Sequence, residues 1–185
     1  KNGIFHDGCT LCNDETEVRI DFKDLTGKQV VLYGQTELTA DLYEALDCQG
    51  TPIFHEVSDV ELTDLEQELT QVFFRHDGKD CVVECQFVAG CDGFHGVSRN
   101  SIPASQRKTF ERTYPFAWLG ILAKVPPVRS ELIYASSKDG FALASMRSEE
   151  LSRCYVQVPS GEMIANWPDQ RFWDTFASRL PPDAA

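Results

Sequence analysis

No stretch of this 185-residue chain is apolar over anything near the ~20 residues needed to cross a bilayer, so no membrane-spanning helix is expected. Positive charge is scarce: 17 Lys and Arg face 29 Asp and Glu, a net charge of -12. That balance argues against nucleic acid as a partner, because such binders carry a basic footprint. It points to a solvated acidic surface and leaves room for a local basic pocket that takes a small anion. No internal repeat and no low-complexity segment occurs. The chain opens on Lys1-Asn2-Gly3, with no initiator Met and no charged-then-apolar leader; processing would account for the missing Met, and so would a start inside a longer gene product.

A disulfide framework is also lacking. The seven cysteines, Cys9, Cys12, Cys48, Cys81, Cys85, Cys91 and Cys154, are odd in number and scattered through a chain with ordinary apolar content. Cys9-x-x-Cys12 has the spacing of half a zinc site, but the other half would have to be Cys81-x-x-x-Cys85, which falls in a strand-like segment. Reduced cytoplasmic thiols and no metal are the expectation.

What is present reads as α+β. Val18, Ile20 and Phe22 alternate with polar residues, and Val30 to Tyr33 is a β-branched and aromatic run; Leu25-Thr26-Gly27-Lys28 between them suggests a hairpin. Leu38, Leu42 and Leu46 then repeat every four residues up to Gly50, which predicts a helix. Strand signals follow at Ile53-Phe54, Val57 to Val60 and Val72 to Phe74. The Asp77-Gly78 pair predicts a tight hairpin into a long strand from Cys81 to Ala89. Residues Asn100 to Arg112 lack a period and read as a linker. Four more strands are expected at Ala117–Ala123, Glu131–Ala135, Phe141–Arg147 and Arg153–Val158. A closing helix carries Phe172, Trp173, Phe176 and Leu180 as one stripe. The expected division is residues 1–105 and 106–185.

The most distinctive string is Gly90-Cys91-Asp92-Gly93-Phe94-His95-Gly96-Val97-Ser98-Arg99. An apolar strand delivers an Asp between two glycines, which permit a sharp turn and close ligand approach, with His95 and Arg99 just beyond. By itself this is as often a plain turn. The whole string, however, resembles the Asp-Gly motif of the flavoprotein aromatic hydroxylases. The likeness continues through Tyr33-Gly34-Gln35-Thr36-Glu37, Tyr114 to Gly120, Glu131 to Ala135, Gly140 to Leu143 and Tyr155 to Pro159, in one order along nearly the full chain. The resemblance implies the central portion of a flavin monooxygenase. Residues 1–105 would then be part of a Rossmann-like FAD-binding domain, and 106–185 a mixed β-sheet substrate domain with a terminal helix. The family's Gly-x-Gly-x-x-Gly flavin fingerprint would precede Lys1, and its active-site-closing helices would follow Ala185.

Strand parity outlines a pocket. Leu143, Ser145 and Arg147 share one face of their strand, as Arg153 and Tyr155 do of the next. A loop over Ser148–Ser152 would set Arg147 opposite Arg153 and Ser145 opposite Tyr155. Two facing arginines repel unless an anion joins them, and a benzoate carboxylate would serve. The resemblance implies the same set: Ser145, Arg147 and Tyr155 on the substrate carboxylate, Arg153 nearby, and Tyr134 on the substrate phenol. Tyr134 reaches that face only if its hairpin to Phe141 has an even-numbered loop or a bulge. His6 matches the outer end of a proton relay. Gln35 matches a flavin contact, Asp92 the flavin pyrophosphate side, and His95 and Arg99 NADPH binding. Trp118 and Leu132 match active-site wall, and Ala117 stands where relatives carry Gly, with a consequence for flavin approach. The residues alone leave other readings open: strand arginines balanced by Glu149 and Glu150, a core tyrosine at Tyr134, ordinary core at Trp118 and Leu132, an exposed His6.

The resemblance thus implies an FAD- and NADPH-dependent hydroxylase acting on a hydroxybenzoate, cytoplasmic, with this segment inactive by itself and prone to self-associate into homo-oligomers through uncovered apolar surface. The alternative is a flavin-free aromatic-acid binding module or interaction domain.

Overall fold

Two-residue alternation builds the largest element of the fold. The computed structural model describes residues 3–182 and Ala184; Lys1, Asn2, Asp183 and Ala185 lie outside the described residues. In chain order come β1 (Ile4–His6), β2 (Gly8–Cys12), β3 (Glu17–Asp21), α1 (Phe22–Thr26), β4 (Val30–Leu32) and α2 (Gln35–Cys48). Then follow β5 (Ser58–Thr63), β6 (Thr70–His76), β7 (Lys79–Cys85) and α3 (Ser98–Ser101). The last stretch holds β8 (Phe116–Ala123), β9 (Leu132–Ser137), β10 (Gly140–Ser148), β11 (Leu151–Pro159), a 3-10 turn at Ile164–Asn166 and α4 (Asp169–Arg179).

The described residues form two compact units that are not consecutive pieces of chain. One takes the chain up to Glu44 together with Thr113 onward; the other takes Ala45–Arg112. This grouping differs from the expected cut near residue 105, because the early strands pack with the late ones. The reason is long-range pairing. Strand β2 runs parallel to β9, with Cys9 opposite Leu132 and Cys12 opposite Ala135. That contact joins two antiparallel sets into a six-stranded mixed sheet of order β3-β2-β9-β10-β11-β8.

One face of this sheet is the core. Ser152, Cys154, Val156 and Val158 alternate inward along β11, and Ile133, Ala135, Ala142 and Ala144 continue the face across β9 and β10. The small alanines leave room for α4, whose Phe172 and Phe176 stack at 6.0 Å between ring centroids and lie buried with Leu180 in the same cluster. Burying each phenylalanine stabilises the fold by roughly 1.5–3 kcal/mol. Asp169 in the first turn and Arg179 in the last suit the helix dipole.

The second unit is an antiparallel meander, β5-β6-β7. Asp77 (φ 50°) and Gly78 (φ 72°) make its hairpin turn, as the Asp-Gly pair predicts. Strand β7 ends at Cys85 rather than Ala89, because its one partner among the described residues, β6, begins at Thr70, opposite Cys85. Within the expected linker, Arg107 donates to the Arg99 carbonyl (2.7 Å) and the Asn100 side chain (2.8 Å), folding the segment back on α3.

The hairpin expected between β3 and β4 does not form. Asp21 ends β3 by capping α1, accepting from the Asp24 N–H at 2.8 Å, and Gly27 closes the turn at φ 70°. Strand β4 pairs instead with β1, Val30 opposite His6.

Candidate functional site

The face of the six-stranded sheet away from α4 carries the candidate site. Tight hairpins set its register. The β9–β10 loop is two residues, Lys138 and Asp139, so Ser137 faces Gly140 and Tyr134 faces Leu143. This meets the even-loop condition for Tyr134. Across β10 and β11, Leu143 faces Tyr155 and Ser145 faces Arg153. The expected register, with Arg147 opposite Arg153, is therefore off by two residues. The turn is only Glu149-Glu150, and Arg147 is the extra residue of a bulge between Met146 and Ser148. Parity survives a two-residue error, so the expected residues keep their common face.

Two cavities share Arg153 and Tyr155. One, about 790 Å³, is aromatic, lined by Phe116, Trp118, Tyr134, Phe141 and Leu143 with Ser136 and Gln157. Phe141 stands between Trp118 (5.2 Å between centroids, edge-on) and Tyr134 (6.1 Å). The other, about 730 Å³, is polar, lined by Tyr33 through Glu37 and by Gly120, Leu122, Arg147, Ser148 and Arg153. Both volumes are in the range of small-molecule sites.

Arg147 and Arg153 have no ion-pair partner among the described residues; Glu149 and Glu150 do not neutralise them. Burial, and then the charge of Arg147, pull the pKa of Arg153 below its ordinary value. Its guanidinium lies over the Tyr155 ring at 4.5 Å. Two guanidiniums in one polar cavity, one of them also in the wall of the aromatic cavity, favour an anion carried on a ring. Ser145 is buried, and its hydroxyl donates to the Arg153 carbonyl at 3.4 Å; it lines neither cavity.

Gln35, the first residue of α2, borders the polar cavity with the two arginines. Gly120 forms a bare stretch of its wall, since a Cβ there would strike the Tyr155 ring. A side-chain amide, main chain from Tyr33 to Glu37 and two guanidiniums are donors suited to a flat polar heterocycle, so these residues fit part of a flavin.

His6 is buried rather than exposed, and its Nε2 has no hydrogen-bond partner among the described residues. It lies on β1 and is not part of the cavity that holds Tyr134. Leu132 lines neither cavity, whereas Trp118 does, half exposed. Ala117 and Cys154 face the α4 side, so Ala117 does not shape this cavity. Cys9 and Cys12, three apart on a strand, point to opposite faces, which is wrong for a shared metal.

The Asp-Gly turn belongs to the second unit. The Asp92 carboxylate accepts from the Ser98 N–H at 2.8 Å, which holds its pKa below the usual range. Gly93 takes φ 71°, and a Cβ on Gly96 would strike the Asp92 carboxylate. Arg99 donates to the Phe94 carbonyl at 2.6 Å and lies over the Phe94 ring. Asp92 and Arg99 line a shallow hollow with Leu62, Leu65 and Val88; His95, edge-on to Phe94, does not.

Sequence reasoning missed Glu37, Phe141 and Gln157 as cavity residues. Phe141 and Gln157 were legible in principle, being even-spaced from Leu143 and Tyr155; Glu37 was not, since it comes from a helix start remote in sequence.

Comparison with known proteins bears on this arrangement. The sequence profile of the FAD binding domain family matches residues 1–185. The p-hydroxybenzoate hydroxylase of Acinetobacter baylyi is 47% identical over the whole chain, and the chain spans 46% of that relative's length. PqsL of Pseudomonas aeruginosa, described as a probable FAD-dependent monooxygenase, shares the fold at a TM-score of 0.70 and 20% identity, over 85% of this chain and 44% of PqsL. The flavin-dependent halogenase CmlS does so at 0.66 and 19%, over 96% of this chain and 33% of CmlS.

Proposed function

The chain belongs to the FAD binding domain family, and from that premise we propose that it is the substrate-recognising portion of an FAD-dependent monooxygenase that converts 4-hydroxybenzoate to 3,4-dihydroxybenzoate with NADPH and O2. The observation that carries this reading is Arg153, which lines both an aromatic cavity with Tyr134 in its wall and the polar cavity that Arg147 borders, neither arginine having an ion-pair partner among the described residues. The 47% identity to a p-hydroxybenzoate hydroxylase supports the choice of substrate.

When bound, FAD supplies the oxygen-transferring chemistry, and Gln35 with the main chain around it would hold part of it. The residues of this chain do the rest of the recognition. Arg147 and Arg153 hold the carboxylate by charge-assisted hydrogen bonds. Trp118, Phe141 and Leu143 enclose the ring and keep water from it. Tyr134 orients the phenol, whose deprotonated form is the electron-rich, faster-reacting ring. Asp92, His95 and Arg99 serve the nucleotide cofactors, and His6 belongs to the proton path from the phenol. No helix among the described residues is long and apolar enough to cross a membrane, and all seven cysteines are free thiols, which supports a cytoplasmic setting.

The test is a titration of the complete protein with 4-hydroxybenzoate, following the visible absorbance of bound flavin. Ligand-dependent change in a yellow protein, with hydroxylated product, is the expected result. A colourless protein that still binds the acid would replace this reading with that of a binding module.

A further inference from the structure

The side of the sheet opposite the aromatic cavity holds a partly buried cation with no carboxylate hydrogen-bonded to it among the described residues. Arg179, the last residue of α4, has its Nε buried without a hydrogen-bond partner among the described residues. Burial pulls its pKa below the ordinary value, against a weaker opposing effect of Asp139. A guanidinium held this way must be fixed by what it does donate to.

It donates to main chain. Nη1 bonds the carbonyl of Phe141 at 3.1 Å and the carbonyl of Gln157 at 2.8 Å. These two residues sit where the β10–β11 ladder stops: its last pair at this end is Ala142 with Val156. One step further, a continued ladder would join Phe141 to Gln157 directly. Instead the Phe141 N–H donates to the Gln157 side-chain Oε1 at 3.2 Å, and the guanidinium takes both carbonyls. Arg179 therefore acts as a wedge where the strands part.

Gly140 makes the wedge possible. At φ 116° it has a backbone that side chains rarely adopt, and a Cβ there would lie 3.0 Å from the Arg179 Cζ. The guanidinium packs into the space that a side chain would fill.

The other face of the same two residues is the cavity wall. Phe141 stands between Trp118 and Tyr134, and Gln157 pairs across the sheet with Trp118. The separation of β10 and β11 at this point sets where the Phe141 ring lies relative to Trp118. We infer that Arg179 is a positioning residue that fixes Phe141 and so sets the width of the aromatic cavity and the size of ring it admits. This rests on the proposed substrate class. It does not place Arg179 in contact with substrate.

The test uses the complete protein and two ligands, 4-hydroxybenzoate and the wider 6-hydroxy-2-naphthoate, titrated into wild type, Arg179→Met, Arg179→Lys, Phe141→Leu and the Arg179→Met/Phe141→Leu double variant. Arg179→Met is expected to weaken 4-hydroxybenzoate binding by about tenfold, the scale of one lost charge-assisted bond, and to narrow the preference over the naphthoate. Arg179→Lys, able to reach one carbonyl, is expected to fall between. Because Arg179 acts through Phe141, the double variant should show the selectivity of Phe141→Leu alone. A ligand preference unchanged in Arg179→Met, or effects that add in the double variant, would overturn the inference. If Arg179→Met does not fold, an unchanged preference in Arg179→Lys overturns it. Should wild type bind neither acid, the functional reading fails, and isotope-labelled phenylalanine signals decide the positioning separately: a displaced Phe141 ring resonance in Arg179→Lys supports it, an unmoved one overturns it.

Discussion

Arg147 bulges from strand β10 two residues beyond Ser145, and Ser145 pairs with Arg153, so two arginines border one cavity without a carboxylate partner among the described residues. Like charges so placed raise the energy of the free protein and lower it once an anion arrives.

Removing Arg147 tests the carboxylate assignment. Arg147→Ala in the complete protein is expected to weaken 4-hydroxybenzoate binding by about 2–5 kcal/mol, as for other truncated charge partners. Unchanged affinity by calorimetric titration would defeat the assignment.

Arg153 should show opposite effects on stability and binding. Its charge is disfavoured by burial and by Arg147. Arg153→Gln is expected to leave the ligand-free protein unchanged or stabler by up to about 1 kcal/mol, while weakening binding of the acid. Thermal unfolding with and without ligand separates the two; a clear loss of stability without ligand would contradict the picture.

The core thiol Cys154 gives a pH signature. Burial pushes its pKa from an ordinary 9.0 up to about 11. The unfolded chain therefore loses this proton first, and the stabilisation present below pH 9 is lost as pH rises towards 11. Cys154→Ala should flatten the alkaline limb of a stability–pH profile. Thiol labelling at neutral pH should reach exposed Cys48 and Cys91 well before buried Cys9, Cys12 and Cys154.

The helix-covered face can be probed through α4. Phe172→Ala is expected to cost about 3–5 kcal/mol in denaturant unfolding of the complete protein, because the ring is buried against alanines that cannot expand to fill the gap. A cost below 1 kcal/mol would mean that the α4 packing is not as described.

Much of this was written in local pattern. The inward run of Ser152, Cys154, Val156 and Val158, the stripe of α4 and the Asp77-Gly78 hairpin each depend on neighbours within a few positions, so the sequence displays them directly. The grouping of Arg147, Arg153 and Tyr155 on one side of the sheet was legible for the same reason, and it survived a register error because the error was an even number of residues; Tyr134 joins them only because the β9–β10 loop is two residues long.

Other features depend on which segments meet. Alternation records that a strand has two faces, but neither which partner it takes nor where a bulge absorbs a residue. Hence the union of β2 with β9, the pairing of β4 with β1 and the bulge at Arg147 appear only in the fold. Ala117 falls on the helix side, and Gln35 reaches the cavity of Arg147 and Arg153, because of contacts between residues far apart in the chain. Arg179 was unremarkable as a helix-terminal arginine; only the parting of two strands beside Gly140 gives its guanidinium two carbonyls to hold. Short-range periodicity determined the elements and their faces, while long-range closure of the sheet decided which of those faces became a site.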